Sequence, residues 1–296
     1  MRKKKSNPKL VSIIFPNYNG KRDTIEYLRS LKKTTYKNFE IIVVDNASID
    51  GSVEAIKKKF PRVKIIENKE NVGITIAENQ AIELSKAEYV VFTDNDMIVH
   101  EPQWLTGLVN TAESDPKIGS VVPVRISYRN RDEIETKGGI RETIENYNKF
   151  KFTKFLYKVF GAPIFITGVS LIKRKVIDEV GPFDEKMFGE FGDVDMHYRI
   201  VKAGYKVVYE PKSNILHKGS STWKEKSHSR LSRHYIERLR FILKNYSPIM
   251  KIFTLSINLI FFIFLFLYHA LRGRFDLSKA VIDGIVWNIK NWRDYI

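Results

Sequence analysis

The tripeptide Asp94-Asn95-Asp96 is the part of this sequence best suited to chemistry. Two carboxylates one residue apart can hold a hard divalent cation, and the cation can in turn hold phosphates. The same string also makes an ordinary acidic turn, since Asp and Asn are turn formers. What precedes it bears on the choice. Tyr89-Val90-Val91-Phe92 is a run of aromatic and β-branched residues that predicts a strand buried on both faces. In open α/β sheets ligands bind beyond the carboxyl ends of the strands, which is where Asp94 and Asp96 are expected.

The elements that position them alternate along the chain. Leu10–Phe15 is a short apolar strand closed by Pro16-Asn17-Tyr18-Asn19-Gly20, a dense turn signal. Ile25, Leu28 and Leu31 mark a helix. Glu40–Val44 is a second strand, ending in Asp45-Asn46-Ala47-Ser48, and Val53, Ile56 and Phe60 mark the next helix. Val63–Ile66 is a third strand, and a helix around Ala77, Ala81 and Leu84 leads back to Tyr89. This β-α-β-α-β-α-β alternation predicts a parallel, doubly wound sheet. Turn chemistry accounts for each polar loop singly, but Asn17 and Asn19, Asp45 and Ser48, and Asp94 and Asp96 together line one sheet edge as a polar crevice. Neither G-x-G-x-x-G nor G-x-x-x-x-G-K-[ST] follows the first strand, which excludes the dehydrogenase and P-loop modes of nucleotide binding.

Composition narrows the class. The 296 residues are 43% hydrophobic and 28% charged, as in a globular protein with a sizeable core. The absence of cysteine excludes disulfides and thiolate metal sites and suits a reducing compartment. A formal charge of +16 fits an anionic membrane surface or a solvated lysine-rich exterior. No nucleic-acid-binding motif accompanies it, so nucleic acid is not an expected partner. Residues 1–9 form a basic tail without the apolar segment of a secretory signal, which points to a cytosolic N-terminal region.

Four strings in register resemble a family 2 glycosyltransferase, its rhamnosyltransferase-like group in particular. They are Val11–Asn19, Val43–Ser52, Asn71-Val72-Gly73 with Asn79, and Thr93-Asp94-Asn95-Asp96. Further on, Phe165–Ile172, Gly181-Pro182-Phe183-Asp184-Glu185 and Gly192-Asp193-Val194-Asp195 resemble later blocks of the same family. The resemblance implies a GT-A fold, a mostly parallel α/β sheet flanked by helices, over residues 10–225. It implies a nucleoside-diphosphate sugar as donor, a glycan or lipid-linked hydroxyl as acceptor, and Mn²⁺ or Mg²⁺ as cofactor. Pro16, Tyr18, Asn19, Asp45, Ser48, Asn71, Gly73, Asn79, Asp94 and Asn95 are the implied donor-nucleotide contacts. Asp96 and His217 are the implied metal ligands, Asp193 the catalytic base of an inverting transfer, and Gly168, Glu190 and Asp195 acceptor-side support. Gly192 stands where the motif has Glu, and Glu190 is a candidate replacement for that carboxylate. The departure keeps a second reading open, a catalytically inactive, membrane-tethered sugar-nucleotide- or glycan-binding protein. A nucleotidyltransferase would need a Gly-rich, basic first loop, which Pro16–Gly20 is not. Residues 127–160, basic and aromatic with little period, predict a loop over the site or a plain surface insertion.

Residues 226–296 form a separate helical region. Arg230–Lys244 predicts a basic helix. Residues 252–271 then run nearly all apolar with no Asp, Glu, Lys or Arg, long enough at about 1.5 Å per residue to cross the roughly 30 Å hydrocarbon core. A single-pass membrane helix with the catalytic domain on the cytoplasmic side is the expectation. A buried hairpin helix, or an in-plane arrangement anchored by Trp287, Trp292 and Tyr295, are its alternatives.

Overall fold

The expected alternation builds one mixed sheet. The computed structural model describes residues 8–131, 133, 168–187, 191–219 and 228–295. Strands β1 (Val11–Asn17), β2 (Phe39–Asp45), β3 (Lys64–Glu67) and β4 (Tyr89–Phe92) run parallel in the order β3-β2-β1-β4. Helices α1 (Lys21–Leu31), α2 (Ser52–Lys59) and α3 (Ile74–Leu84) connect them. The second half adds β5 (Met97–Val99), α4 (Trp104–Ser114), β6 (Ile118–Ser127), β7 (Ser170–Lys173), α5 (Arg174–Val180), α6 (Gly192–Lys202) and β8 (Lys206–His217). The full order is β3-β2-β1-β4-β7-β6-β8-β5, with β7 antiparallel to β4 and β6, and β5 antiparallel to β8. Chain direction along the sheet reverses at β1 and β4, so their carboxyl ends open the crevice in which such sheets bind ligands.

Two apolar cores cover the two faces. Side chains alternate along a strand, so β1 sends Ile13 and Phe15 to one face, with Tyr27, Leu28, Trp104 and Leu108. It sends Ile14 to the other, with Ala77, Phe92, Ile172 and Met196. Burial on both sides is why these strands read as continuous apolar runs.

Two strands of the second half depend on partners distant in sequence. The segments around Val207 and Ile215 form one strand, β8, whose pairing with β6 shifts between Pro123 and Val124. Met97-Ile98-Val99 is itself a strand, because β8, distant in sequence, supplies a partner: Met97 pairs with His217. Most of residues 127–160, Glu190 and the expected boundary at 225/226 lie outside the described residues.

The carboxyl-terminal region is a stack of helices against the sheet domain. Helix α7 (His228–Asn245) docks Phe241 and Ile242 on Met187, Phe191 and Val194. Glu237 accepts the backbone N–H of Phe191 at 2.7 Å, and Arg240 pairs with Asp184 at 2.9 Å. Helix α8 (Pro248–Leu271) opens with Pro in its first turn, where the missing N–H costs nothing, one turn before the apolar run. Helix α9 (Phe275–Lys290) returns along α7, and Gly284 permits that approach. A Cβ there would lie 2.5 Å from Tyr235 Cβ and 3.3 Å from its carbonyl carbon. Gly284→Ala should therefore force α9 off α7 and destabilise by about 1–3 kcal/mol, read as a lowered urea-unfolding midpoint. An unchanged midpoint would show that the packing gives way freely.

Candidate active site

The first two strand ends lock together before any ligand arrives. β1 and β2 pair so that Asn17 faces Asp45. Asn17 Nδ2 donates to Asp45 Oδ2 at 2.7 Å and to Ser48 Oγ at 3.0 Å, while the Ser48 N–H donates to Asp45 Oδ1 at 2.8 Å. Asn19 closes the lock: its N–H donates to Ser48 Oγ and its Oδ1 accepts the Ile49 N–H, both at 2.8 Å. Asn19 (φ 50°) and Ala47 (φ 62°) both adopt the left-handed conformation. Asn tolerates it, whereas Ala47 stores roughly 1–2 kcal/mol of strain. Each Asp45 oxygen receives one of these bonds, so lone pairs remain for a ligand. Pro16 lies within β1 beside the lock, and Tyr18, 45% exposed, stands at its rim, open to a stacking partner. Across the crevice, Gly73 (φ 87°) donates its N–H to Asn71 Oδ1, and its carbonyl accepts from Asn46 Nδ2.

The second group is a cluster of acids. Asp94 lies half-buried at the end of β4. Burial foremost, then the charges of Asp96 and Asp193, push its carboxyl up to about 7, against the pull of Arg125 and His217. Asp193 stands in the first turn of α6, where the helix dipole favours a negative charge, and its Oδ2 accepts the Gly168 N–H at 3.0 Å. Gly168 (φ 48°) is a spacer between the two acids: a Cβ there would lie 3.4 Å from Asp94 Oδ2 and would also strike Arg125.

Asp96 is different. It is 5% exposed, and among the described residues neither side-chain oxygen accepts a hydrogen bond. His217 Nε2 lies 3.3 Å from its Oδ2, brought there by the pairing of β5 with β8. A buried carboxylate without donors is costly, and a carboxylate beside an imidazole is a donor set that Mn²⁺ or Mg²⁺ can accept. Among the described residues no group of three His, Asp or Glu closes a metal cage.

Three sequence candidates also tie scaffold elements together. Asn95 Nδ2 donates to Asn17 Oδ1 and Thr24 Oγ1 beneath the first turn. Asn79 ties α3 to the Phe183 backbone through both ends of its amide and reaches Glu185. Asp195, fully buried, receives Arg199, Lys244 and Asn245. One acid escaped the sequence analysis. Glu78, on the buried side of α3, is 6% exposed, and no described residue donates a hydrogen bond to its carboxyl. Burial, Asp193 and Asp94 raise its pKa well above the ordinary range. The signal was present: a charged residue in helical phase with Thr75 and Ile82, on the face that packs.

The glycosyl transferase family 2 sequence profile matches residues 12–181, more than half of the chain. The chain belongs to that family. It is similar to the N-acetylglucosaminyl-diphospho-decaprenol L-rhamnosyltransferase of Mycobacterium tuberculosis, with 27% identity over 75% of this chain and 80% of the relative. An uncharacterized protein of Sinorhizobium fredii is also 27% identical, over 72% of this chain, which spans only 25% of that protein's length. Among solved structures, a mannosyltransferase from Pyrobaculum calidifontis in complex with GDP-Man and Mn2+ superposes with a TM-score of 0.60. That match covers 94% of this chain and 86% of the other at 20% identity, and it shows the same GT-A fold. This family 2 glycosyltransferase is thus an enzyme, with its sheet edge where the sequence analysis placed it.

Behind the acids, His197 is a positioning group. Its Nδ1 donates to the Asp193 carbonyl at 2.8 Å, and its Nε2 accepts from Ser120 Oγ at 3.0 Å. Burial holds it below the ordinary histidine range, against the charge of Asp193. The fold therefore keeps it neutral, while the unfolded chain takes up a proton below about pH 6.5. Stability should fall as pH drops below that value, by up to about 1.4 kcal/mol per pH unit from this residue. The difference in urea-unfolding free energy between wild type and His197→Gln, followed from about pH 7 to 5, isolates it. A pH-independent difference would show that His197 does not titrate on unfolding.

Proposed function

We propose that this glycosyltransferase moves a sugar, with inversion at the anomeric carbon, from a nucleoside-diphosphate sugar to a hydroxyl of a glycan or lipid-linked acceptor at a membrane surface. The placement of Asp193 carries the proposal. It stands at a helix N-terminus, across Gly168 from the acids at the end of β4. A donor whose nucleoside lies against the Asn17–Asp45–Ser48 lock, with Tyr18 at the rim, would lead its diphosphate toward Asp94 and Asp96.

Asp96 and His217 would hold Mn²⁺ or Mg²⁺, with Asp94 beside them. Such an ion supplies charge neutralisation for a departing diphosphate. The orphaned oxygens of Asp96 support this assignment, as does the Mn2+ named with the Pyrobaculum mannosyltransferase. Asp193 accepts the proton of the acceptor hydroxyl through Oδ1, which no described residue occupies. The acceptor oxygen bonds to the anomeric carbon, the bond to the diphosphate breaks on the opposite face, and an α-linked donor gives a β-glycoside. A positioned base of this kind contributes about 10²–10⁴-fold.

Gly192 does not argue for an inactive protein. A Cβ there would lie 2.8 Å from Thr75 Cγ2, so the missing side chain belongs to the packing of α3 on α6. One turn along from Thr75, Glu78 brings a carboxyl beside Asp193. The lipid-linked acceptor rests on the name of the mycobacterial relative and on the apolar helix α8. The catalytic domain is proposed to face the cytoplasm, a reducing compartment that suits a chain without cysteine.

Asp193→Asn should keep donor binding and lower transfer by at least about 10²-fold in a radiolabelled sugar-transfer assay. Unchanged turnover would remove Asp193 from the base role. Asp96→Ala should abolish the gain in nucleoside-diphosphate affinity that Mn²⁺ confers, measured by titration calorimetry with and without the ion. An intact gain would place the metal elsewhere.

A further inference from the structure

We infer that α8 and α9 lie flat in one leaflet as an in-plane hairpin and that neither crosses the bilayer. The inference rests on the membrane reading above and assigns its geometry. Helix α8 passes for a membrane span by length and composition, yet only 17% of its most apolar window is buried in the protein. Ile252, Ile260, Ile263, Phe264 and Leu267 are all exposed, and α9 continues the same surface with Ile282 and Ile289. Taken alone, α8 would suit a crossing. What lies behind it does not.

The opposite side of the hairpin is backed by α7 along much of its length. Asn258 of α8 accepts from Arg238 at 2.6 Å, and Phe262 packs edge-on against Tyr235 at 5.2 Å. From α9, Asp283 pairs with His228 at 2.8 Å and Asn288 donates to the Ile236 carbonyl at 3.1 Å. The other side of α7 is fastened to the catalytic domain through Glu237, Arg240 and Lys244. The order of layers is therefore catalytic domain, α7, then the hairpin with its apolar face outward.

The chain end closes the argument. After α9, Asp294 pairs with Lys186 of the catalytic domain at 2.7 Å and approaches Arg240 at 3.6 Å. If α8 crossed, α9 would have to cross back, carrying Asp276, Lys279 and Asp283, and α7 would bring Arg230 and Arg233 alongside. Charged side chains at membrane depth are costly, and these already face helix partners or water. Laid flat, the hairpin buries its apolar face at the level of the acyl chains. Exposed Arg272, Arg274, Lys279, Lys290 and Arg293 border that face, where their stems reach up to anionic headgroups. Arg272 lies over the Tyr268 ring at 4.7 Å and Arg293 over Trp292 at 5.9 Å, pairing cations with interfacial aromatics.

The cysteine-free chain offers a direct test. Arg272→Cys marks the hairpin tip, Asp276→Cys repeats the mark on α9, and Glu54→Cys marks the exposed surface of the catalytic domain. The full chain in sealed, inverted membrane vesicles is treated with a membrane-impermeant maleimide before and after detergent. All three cysteines should react before detergent, since tip and catalytic domain share one side. Reaction at position 54 with both tip positions protected until detergent would overturn the in-plane geometry while leaving membrane association intact. Recovery in the soluble fraction, without flotation on phosphatidylcholine–phosphatidylglycerol vesicles, would overturn both. In that outcome a dimer by light scattering would assign the apolar face to a second copy.

Discussion

Like charges confined in one cleft are the constraint around which this enzyme is arranged. Asp94, Asp96, Asp193 and Glu78 converge at the edge of the sheet, and among the described residues Arg125 and His217 oppose the charge on Asp94. Proteins place such acids close together where a cation or a proton is meant to enter, because repulsion in a poorly solvated site raises the free energy of the empty state. The fold answers each acid separately. Asp193 has a helix N-terminus and one backbone N–H, Asp94 and Glu78 are driven toward their neutral forms, and Asp96 has His217. The surrounding backbone is closely tied, from the Asn17–Asp45–Ser48 lock to the close passage of Gly168 between two carboxylates.

Helix α6 links this cleft to the carboxyl-terminal helices. Its first turn carries Asp193 toward the acids, and two residues on Asp195, itself fully buried, points the other way and meets the part-exposed Arg199 and Lys244 and the buried Asn245. Lys244 also reaches Asp184, so α7 grips both α6 and the segment before it. Buried charges of this kind need every partner present. Asp193 and the carboxyl-terminal helical stack thus meet on one element, so the position of that acid depends on the helices packed behind it.

Much of this was legible along the chain. Strands buried on both faces announce themselves as uninterrupted β-branched runs, and the turn residues after them, Asn17, Asp45 and Asp94, mark the sheet edge without reference to tertiary structure. Other residues of the motif strings also serve the scaffold. Asn79, Asn95 and Asp195 sit inside the motif strings, yet their side chains tie scaffold elements together, because the same hydrogen-bonding groups serve a turn, a helix junction or a ligand equally well. Glu78 was passed over for the converse reason: it lies in a helix, in no motif, and only its phase sets it on the packed face.

Local chemistry therefore determined the family, the alternating fold, the polar edge and an apolar carboxyl-terminal helix, since each is written in residue types at short spacing. Tertiary structure decided which acids share a cleft. Met97 has to pair with His217 before Asp96 acquires its imidazole, and α3 has to close on Gly192 before Glu78 meets Asp193. It also decided that the apolar helix is backed by a charged neighbour fastened to the catalytic domain. These are contacts between segments far apart in the chain, set by packing and strand register, and no local pattern of residues encodes them.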